Sequence, residues 1–290
     1  MRLITRRDAS QELEMMGGGG TRIAKLSLVV RLRPPRSSGH LGVWIEGHNV
    51  HVADSMDRGT LKDRDRICSR VYHVGCALPP YSTQLDLYNA AGVGAVDALW
   101  DGFNSSIIAM GQVGTGKTHS LFGTANAPPG EDLCSQLLST LFARIRQSTT
   151  PQDFSVLISM WDIVTDPVSG VADVTDLLRD PTDGARAGGR GPDSKLACVM
   201  IDSLSDALQA IELGRARSEN WQLDPAEQVH TALPNRAHGF VRLTLYDGRR
   251  RRVSALHLVD LVGNCSLAGA KVYLSWCLSV FGLACWYIKD

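Results

Sequence analysis

One run of eight residues, Gly111-Gln112-Val113-Gly114-Thr115-Gly116-Lys117-Thr118, constrains this chain more than any other feature, because it satisfies the phosphate-loop pattern G-x-x-x-x-G-K-[ST] in full. Such a loop works in one setting only. Its glycines let successive backbone N–H groups converge on phosphate oxygens, and the helix that follows must present its positive end to the same point. Lys117 then reaches the terminal phosphates, and the Thr118 hydroxyl ligates magnesium. The flanks supply the setting: Ile107 to Met110 is a wholly apolar run of the kind buried at a sheet centre, and a helix can begin at Lys117.

Elsewhere short apolar runs alternate with helical periods, the pattern of a sheet flanked by helices. Ala24 to Leu32 is predicted as a strand closed by Pro34 and Pro35, and Val43 to Val52 as a weaker strand. Thr83 to Trp100 carries Leu87, Ala91, Ala95 and Leu99 at helical spacing, with Thr83 as the N-cap. Leu133 to Ile145 and Ser203 to Arg217 read as helices, and Phe154 to Val164 as a strand. Phe240 to Tyr246 and Val253 to Leu261 read as strands joined across Asp247 and Gly248 in a hairpin. The Gly-, Pro-, Asp- and Arg-rich stretch from Asp180 to Asp193 reads as a surface loop. A phosphate-loop protein also needs a second acid to hold the magnesium shell, and Leu256-His257-Leu258-Val259-Asp260 ends an apolar strand on one. Thr118 and Asp260, the latter through water, are therefore the expected metal-facing pair.

Charge and the chain ends limit the partners. Thirty Lys plus Arg balance thirty Asp plus Glu in 290 residues, so no global field draws the molecule onto nucleic acid, and none is expected as a partner. Arg249-Arg250-Arg251-Arg252 is the one local basic cluster, and after the Asp247-Gly248 turn it reads as a solvated hairpin tip. The seven cysteines are odd in number and scattered, with no C-x-x-C pair, which points to reduced thiols inside the cell. Residues 1–21, with their four consecutive glycines, read as a flexible leader. Val272 to Ile288 has no charged residue, but it falls short of the roughly 20 apolar residues that a membrane span needs and is interrupted by Ser275, Ser279 and Gly282. A membrane partner is not expected, and residues 271–290 are read as an apolar tail.

Several segments together resemble the kinesin motor domain. Gly102-Phe103-Asn104-Ser105-Ser106-Ile107-Ile108-Ala109-Met110 and the phosphate loop, with His119-Ser120-Leu121-Phe122-Gly123 after it, follow the family's G-Y-N-x-x-I-x-A-Y-G-Q-T-G-S-G-K-T-x-T-M-x-G almost position by position. Arg31-Leu32-Arg33-Pro34 resembles the R-x-R-P that borders the adenine, and Thr83-Gln84 with Leu87-Tyr88 resembles T-Q-x-x-V-Y. Ser159-Met160-Trp161-Asp162-Ile163 is similar to S-x-x-E-I, and Asp176-Leu177-Leu178 to the later D-L-L. The resemblance runs from about Arg22 to Ser266, and a motor domain is expected over residues 22–270. It implies a mostly parallel central sheet with helices on both faces, ATP and Mg2+ as cofactors, and Arg31, Arg33, Pro34 and His119 around the base. It also implies an ATPase that drives movement on microtubules, in the cytoplasm and on the cytoskeleton.

Both switches depart from the family. Where kinesins carry N-x-x-S-S-R-S-H, this chain has Thr231-Ala232-Leu233-Pro234-Asn235-Arg236-Ala237-His238. Asn235 and Arg236 take the catalytic places there, but Pro234 has neither hydroxyl nor N–H, and Asn235 offers an amide in place of a hydroxyl. The second switch, D-L-A-G-S-E in the family, reads Asp260-Leu261-Val262-Gly263-Asn264-Cys265. Asp260 and Gly263 remain, while Cys265 replaces the glutamate that pairs with the switch arginine. Losing one such positioned contact costs on the order of 10² to 10³ in rate, about 3 to 4 kcal/mol, so impaired turnover is expected. The alternative is a pseudo-motor that holds nucleotide without cycling and acts as an interaction module. In the family the main microtubule contact follows the second switch; residues 266–290 are short and poorly charged for it, so that region is expected to be missing.

Overall fold

Three strands, buried on both faces over much of their length, build the sheet that carries the phosphate loop. In β7 (Phe154–Thr165) the buried residues Val156, Ile158 and Met160 share one face; in β10 (Ala237–Asp247) Val241, Leu243 and Leu245 do so, and in β11 (Arg252–Asp260) Leu256 and Leu258. Their register is set so that Leu243 lies opposite both Ile158 and Leu256, and Val241 opposite both Met160 and Leu258. Rows of branched side chains therefore cross three strands, which is what fixes a register once one face is buried. The computed structural model describes residues 26–35, 42–53, 69–112, 114–123, 131–165, 172–179, 196–218 and 237–263. The chain divides into two units, Thr83–Cys265 and Met1–Ser82 with Ser266–Asp290.

In the Thr83–Cys265 unit, β6 (Ser105–Ala109), β11, β10, β7 and β8 (Ala172–Asp176) lie in that order, and β9 (Val199–Ile201) pairs with β7 beside β8. The α/β class is as expected, but the sheet is mixed rather than mostly parallel. Only β6 and β11 pair in parallel; β10–β11, β10–β7, β7–β8 and β7–β9 are antiparallel. The reason lies in the connections. β10 and β11 are joined by residues 248–251, and so short a turn returns the chain only antiparallel. Asp247 folds that turn by accepting the backbone N–H groups of Arg249 and Arg250. The apolar run before the phosphate loop also differs from its expectation: among the described residues β6 is an edge strand, half-buried along its length, and Met110 is exposed.

Helices cover the face that carries Ile158, Leu243 and Leu256. A short helix α1 (Gln84–Leu87) is capped by Thr83, whose side chain and backbone exchange bonds with Asp86. The chain continues through a π turn (Tyr88–Gly92) into α2 (Val93–Trp100), where the carbonyls of Ala95 and Leu99 accept the Ser105 and Ser254 hydroxyls. After the loop come α3 (Lys117–Phe122) and α4 (Leu133–Gln147), the latter capped by Asp132 and burying Leu133, Leu137, Leu138, Leu141 and Phe142. The last, α5 (Leu204–Arg217), is capped by Ser203 and lies against β7 at Gly214, where an added Cβ would come within 2.6 Å of the Met160 sulfur. Of these helices α2 and α5 meet this face directly, through Ser254 and Met160. Opposite them, Trp161 and Phe240 stack with centroids 5.2 Å apart, and the Arg242 guanidinium lies 5.8 Å over the Trp161 ring. The expected loop from Asp180 to Asp193 falls outside the described residues.

The other unit holds two small sheets. β1 (Val29–Arg31) pairs in parallel with β5 (Cys76–Leu78), so the described strand is shorter than the Ala24–Leu32 run that predicts it. The Val43–Val52 run is not one strand. It is a hairpin of β2 (Val43–Glu46) and β3 (Asn49–Ala53), turning at Gly47 with φ 59°, and β4 (Ser69–His73) completes an antiparallel meander.

Candidate nucleotide site

The phosphate loop joins β6 to α3 through three glycines with left-handed backbone, Gly111 (φ 151°), Gly114 (φ 76°) and Gly116 (φ 94°). A side chain there is strained, which is why the pattern demands glycine. Space matters as well at Gly111, where a Cβ would lie 2.8 Å from Thr115 Oγ1; at Gly116 nothing lies within 4 Å and the backbone angle is the whole requirement. Thr115 tightens the turn by donating its hydroxyl to the Gln112 carbonyl at 2.8 Å. Gly111, Gln112, Gly114 and Thr115 are exposed, while Val113 falls outside the described residues. Lys117 is buried, and its Nζ donates to the Gly111 and Gln112 carbonyls at 3.1 and 2.9 Å. The ammonium is thereby held across the loop by two carbonyl contacts.

Asp260 ends β11 fully buried and accepts a hydrogen bond from the Thr118 hydroxyl at 2.5 Å, joining the strand to α3. Leu261 N–H donates to the Ala109 carbonyl, so the ladder with β6 extends up to the loop. Among the described residues no group of three or more His, Cys, Asp or Glu gathers at one point. The two donors expected to face the metal are one hydroxyl and one carboxylate, both hard oxygens. Such a set suits Mg2+, which keeps much of its water and takes further ligands from substrate phosphates. The donor chemistry thus fits a magnesium–triphosphate group.

Four residues at this end of the sheet stand outside the site list drawn from sequence. His238 ends the first switch, of which only Ala237 and His238 are described, and its Nδ1 accepts the Val262 N–H of the second at 3.1 Å. That nitrogen is therefore unprotonated, and burial lowers the ring's pKa to about 4. Asp162 lies opposite Gly239, which lies opposite Asp260, so two buried carboxylates flank a glycine on three adjacent strands. Asp162 accepts from the hydroxyl of Ser218, the fully buried residue that ends α5. The sequence signal was present: Asp162 is in phase with Val156, Ile158 and Met160, and an acid at a core position of a strand needs a partner. Gln84 likewise has a visible task, donating to the His119 carbonyl at 2.7 Å.

The structure brings Gly111, Gln112, Gly114 to Thr118, His119, Asp260 and Gly263 to one end of the sheet; the His119 side chain is exposed and Gly263 is buried. Asn235 and Arg236 lie outside the described residues, as do Pro234, Asn264 and Cys265. Arg31, Arg33 and Pro34 belong to the other unit, where Arg31 ends β1 and donates to the Ser82 carbonyl while Arg33 and Pro34 are exposed.

Among known families, the model of the kinesin motor domain matches residues 31–272. The chain is 25% identical over 257 residues to Kinesin-like protein 3 of Schizosaccharomyces pombe, covering 83% of this chain and 42% of that protein. It is 29% identical over 197 residues to klp-19 of Caenorhabditis elegans, covering 63% of this chain and 17% of that protein. The chain thus spans well under half the length of these relatives. Of solved structures, the Drosophila Kin10/NOD complex with divalent manganese and ADP superposes with a TM-score of 0.59 at 22% identity, covering 85% of this chain and 73% of that one. KIF14 with ADP on a microtubule gives 0.62 at 18% identity, covering 88% and 74%. These two likenesses fix the fold.

Proposed function

This chain belongs to the kinesin motor domain family, and on that premise we propose that it binds Mg-ATP at Gly111 to Thr118 and hydrolyses it, slowly, to drive movement on microtubules. The observation that carries the reading is the hydrogen bond from Thr118 to the buried Asp260, which couples the phosphate loop to the strand leading into the second switch. Manganese and ADP in the Drosophila relative and the microtubule under KIF14 support nucleotide, divalent metal and tubulin as ligands of this chain too. Bound there, magnesium supplies charge neutralisation at the phosphates. The loop N–H groups and Lys117 hold the phosphate oxygens, Thr118 and Asp260 orient the metal's shell, and His119 borders the base. Residues 22–270 form the motor domain in this reading, with 1–21 a leader and 271–290 a tail; the protein is cytoplasmic.

Slow turnover is part of the proposal. Pro234 and Asn235 stand where two serines serve the attacking water, and Cys265 cannot form the charge-assisted pair with Arg236. Binding and hydrolysis should therefore separate. Restoring Cys265→Glu, Pro234→Ser and Asn235→Ser together should raise single-turnover hydrolysis at least about tenfold, about 1.4 kcal/mol. ATP affinity by calorimetry should stay nearly constant, because the repaired contacts act on the transition state. A parent chain already turning over as fast as the repaired one would sink the impaired-switch reading.

A further inference from the structure

The site proposed above uses one end of the sheet, and the other end has a binding feature of its own. Beside the turn between β10 and β11 lies a recess of about 340 Å³, lined by Trp100, Ser148, Phe154, Asp247, Arg249 and Arg250. The nine residues of β11 separate this turn from Asp260, roughly 26 Å at strand rise, so the recess is distinct from the phosphate loop. We propose that this recess binds an acidic peptide segment, taking its carboxylates on Arg249 and Arg250 and a flanking apolar side chain against Trp100 and Phe154.

The charges point that way. Four consecutive arginines occupy the turn and the start of β11 in a chain whose total charge is zero, so they form a local positive patch. Arg249 and Arg250 are more than half exposed, and their ion pairs are loose: Arg249 Nε is 3.8 Å from Asp153, and Arg250 Nε 3.7 Å from Asp247. Both separations exceed a hydrogen bond, and Arg249 Nη1 donates besides to Thr150 Oγ1 at 3.3 Å, a long contact with a neutral hydroxyl that an incoming carboxylate replaces with a charge-assisted one. Asp247 also lines the recess, with its Oδ2 toward Arg250 Nε. Its Oδ1 accepts the backbone N–H groups of Arg249 and Arg250, and the side chain is buried in that role.

Shape and ring geometry favour a peptide over nucleic acid. Trp100 and Phe154 stack on each other with centroids 4.9 Å apart and planes 19° apart, which uses one face of each ring and leaves an apolar wall rather than an open platform for bases. The volume is at the small end for ligand pockets and suits a side chain or two of an extended segment. A planar fork matches a carboxylate in a way that a lysine ammonium does not, so the identity of the cations matters as well as their sign.

The test uses the full chain and a fluorescein-labelled, capped peptide Glu-Glu-Leu-Glu-Glu, read by anisotropy at low salt. Its Gln counterpart and a single-stranded oligothymidine serve as comparators. Arg249→Ala with Arg250→Ala should weaken the acidic peptide at least about tenfold, the Lys pair should weaken it less, and excess Mg-ATP should not displace it. Arg249→Glu with Arg250→Glu should lose the acidic peptide and gain Lys-Lys-Leu-Lys-Lys, a result that a merely misfolded variant cannot give. The proposal is overturned by any of the following: no binding up to about 1 mM, equal binding of the Gln peptide, an unchanged affinity in the Ala pair, displacement by Mg-ATP, or tighter binding of the oligonucleotide at the same arginines.

Discussion

A neutral imidazole is built into the join between the two switch segments. His238 can accept the Val262 N–H only while its Nδ1 is bare, and burial lowers its pKa from 6.5 to about 4. His257 is lowered to about 4 as well, by burial first and the nearby Arg242 second, against a backbone bond with Ser105 that acts the other way. Between pH 6.5 and 4 the unfolded chain therefore binds protons that the folded chain refuses, so stability falls as pH falls through that window. Each histidine should remove about 2 kcal/mol between pH 7 and pH 5. Urea midpoints at pH 7, 6 and 5 measure the loss, and His257→Gln should remove about half of the histidine contribution; a slope unaltered by that change would refute the assignment. A second residue test is Arg251, whose φ of 49° is the one positive value at a non-glycine among the described residues. Arg251→Gly should raise stability by about 0.5 to 1 kcal/mol by removing that strain, measured as a higher thermal midpoint.

The contact between β7 and α5 depends on a missing side chain. Gly214 lets the helix approach until its hydrogen would-be Cβ position lies 2.6 Å from the end of Met160, itself fully buried. Gly214→Val should destabilise the fold by about 1 to 3 kcal/mol, and Met160→Ala in the same chain should recover part of it; additive losses in denaturant titrations would show that the two do not share space. Elements of this kind were the most legible from sequence. Leu133 to Ile145, Ser203 to Arg217, Phe154 to Val164 and the Phe240 to Leu261 hairpin all appear close to their predicted bounds, because long clean periods and capping residues specify them locally. Pairing direction and edge position were not legible: an apolar run such as Ile107 to Met110 looks the same at the centre or rim of a sheet. In Val43 to Val52 the apolar residues Val43, Ile45, Val50 and Val52 concealed a turn that Gly47 and His48 mark. Asp260 was legible as a strand-end acid, whereas the roles of His238, Asp162 and Ser218 depend on neighbours across strands that no single segment shows.

The whole molecule should gain stability from its nucleotide. At a Mg-ATP concentration 100 times its dissociation constant, binding to the folded state alone adds about 2.7 kcal/mol, which for a chain of this size is a rise of roughly 5 to 10 °C in thermal midpoint. Lys117→Ala or EDTA should abolish most of the rise; a full rise without Lys117 would remove the phosphate loop from the account. The same sheet also bears on how the chain is made. Among the described residues β6 pairs with β11 alone, and the bond from Ala255 N–H to Asn104 joins residues 151 apart. At roughly 5 to 20 residues per second of synthesis, the strand bearing Ile107 and Ile108 waits roughly 8 to 30 s for its neighbour to be translated. Throughout that interval the nascent chain carries an apolar segment without its strand partner beside a glycine-rich loop, so the yield of folded protein should respond to the pace of translation as well as to final stability.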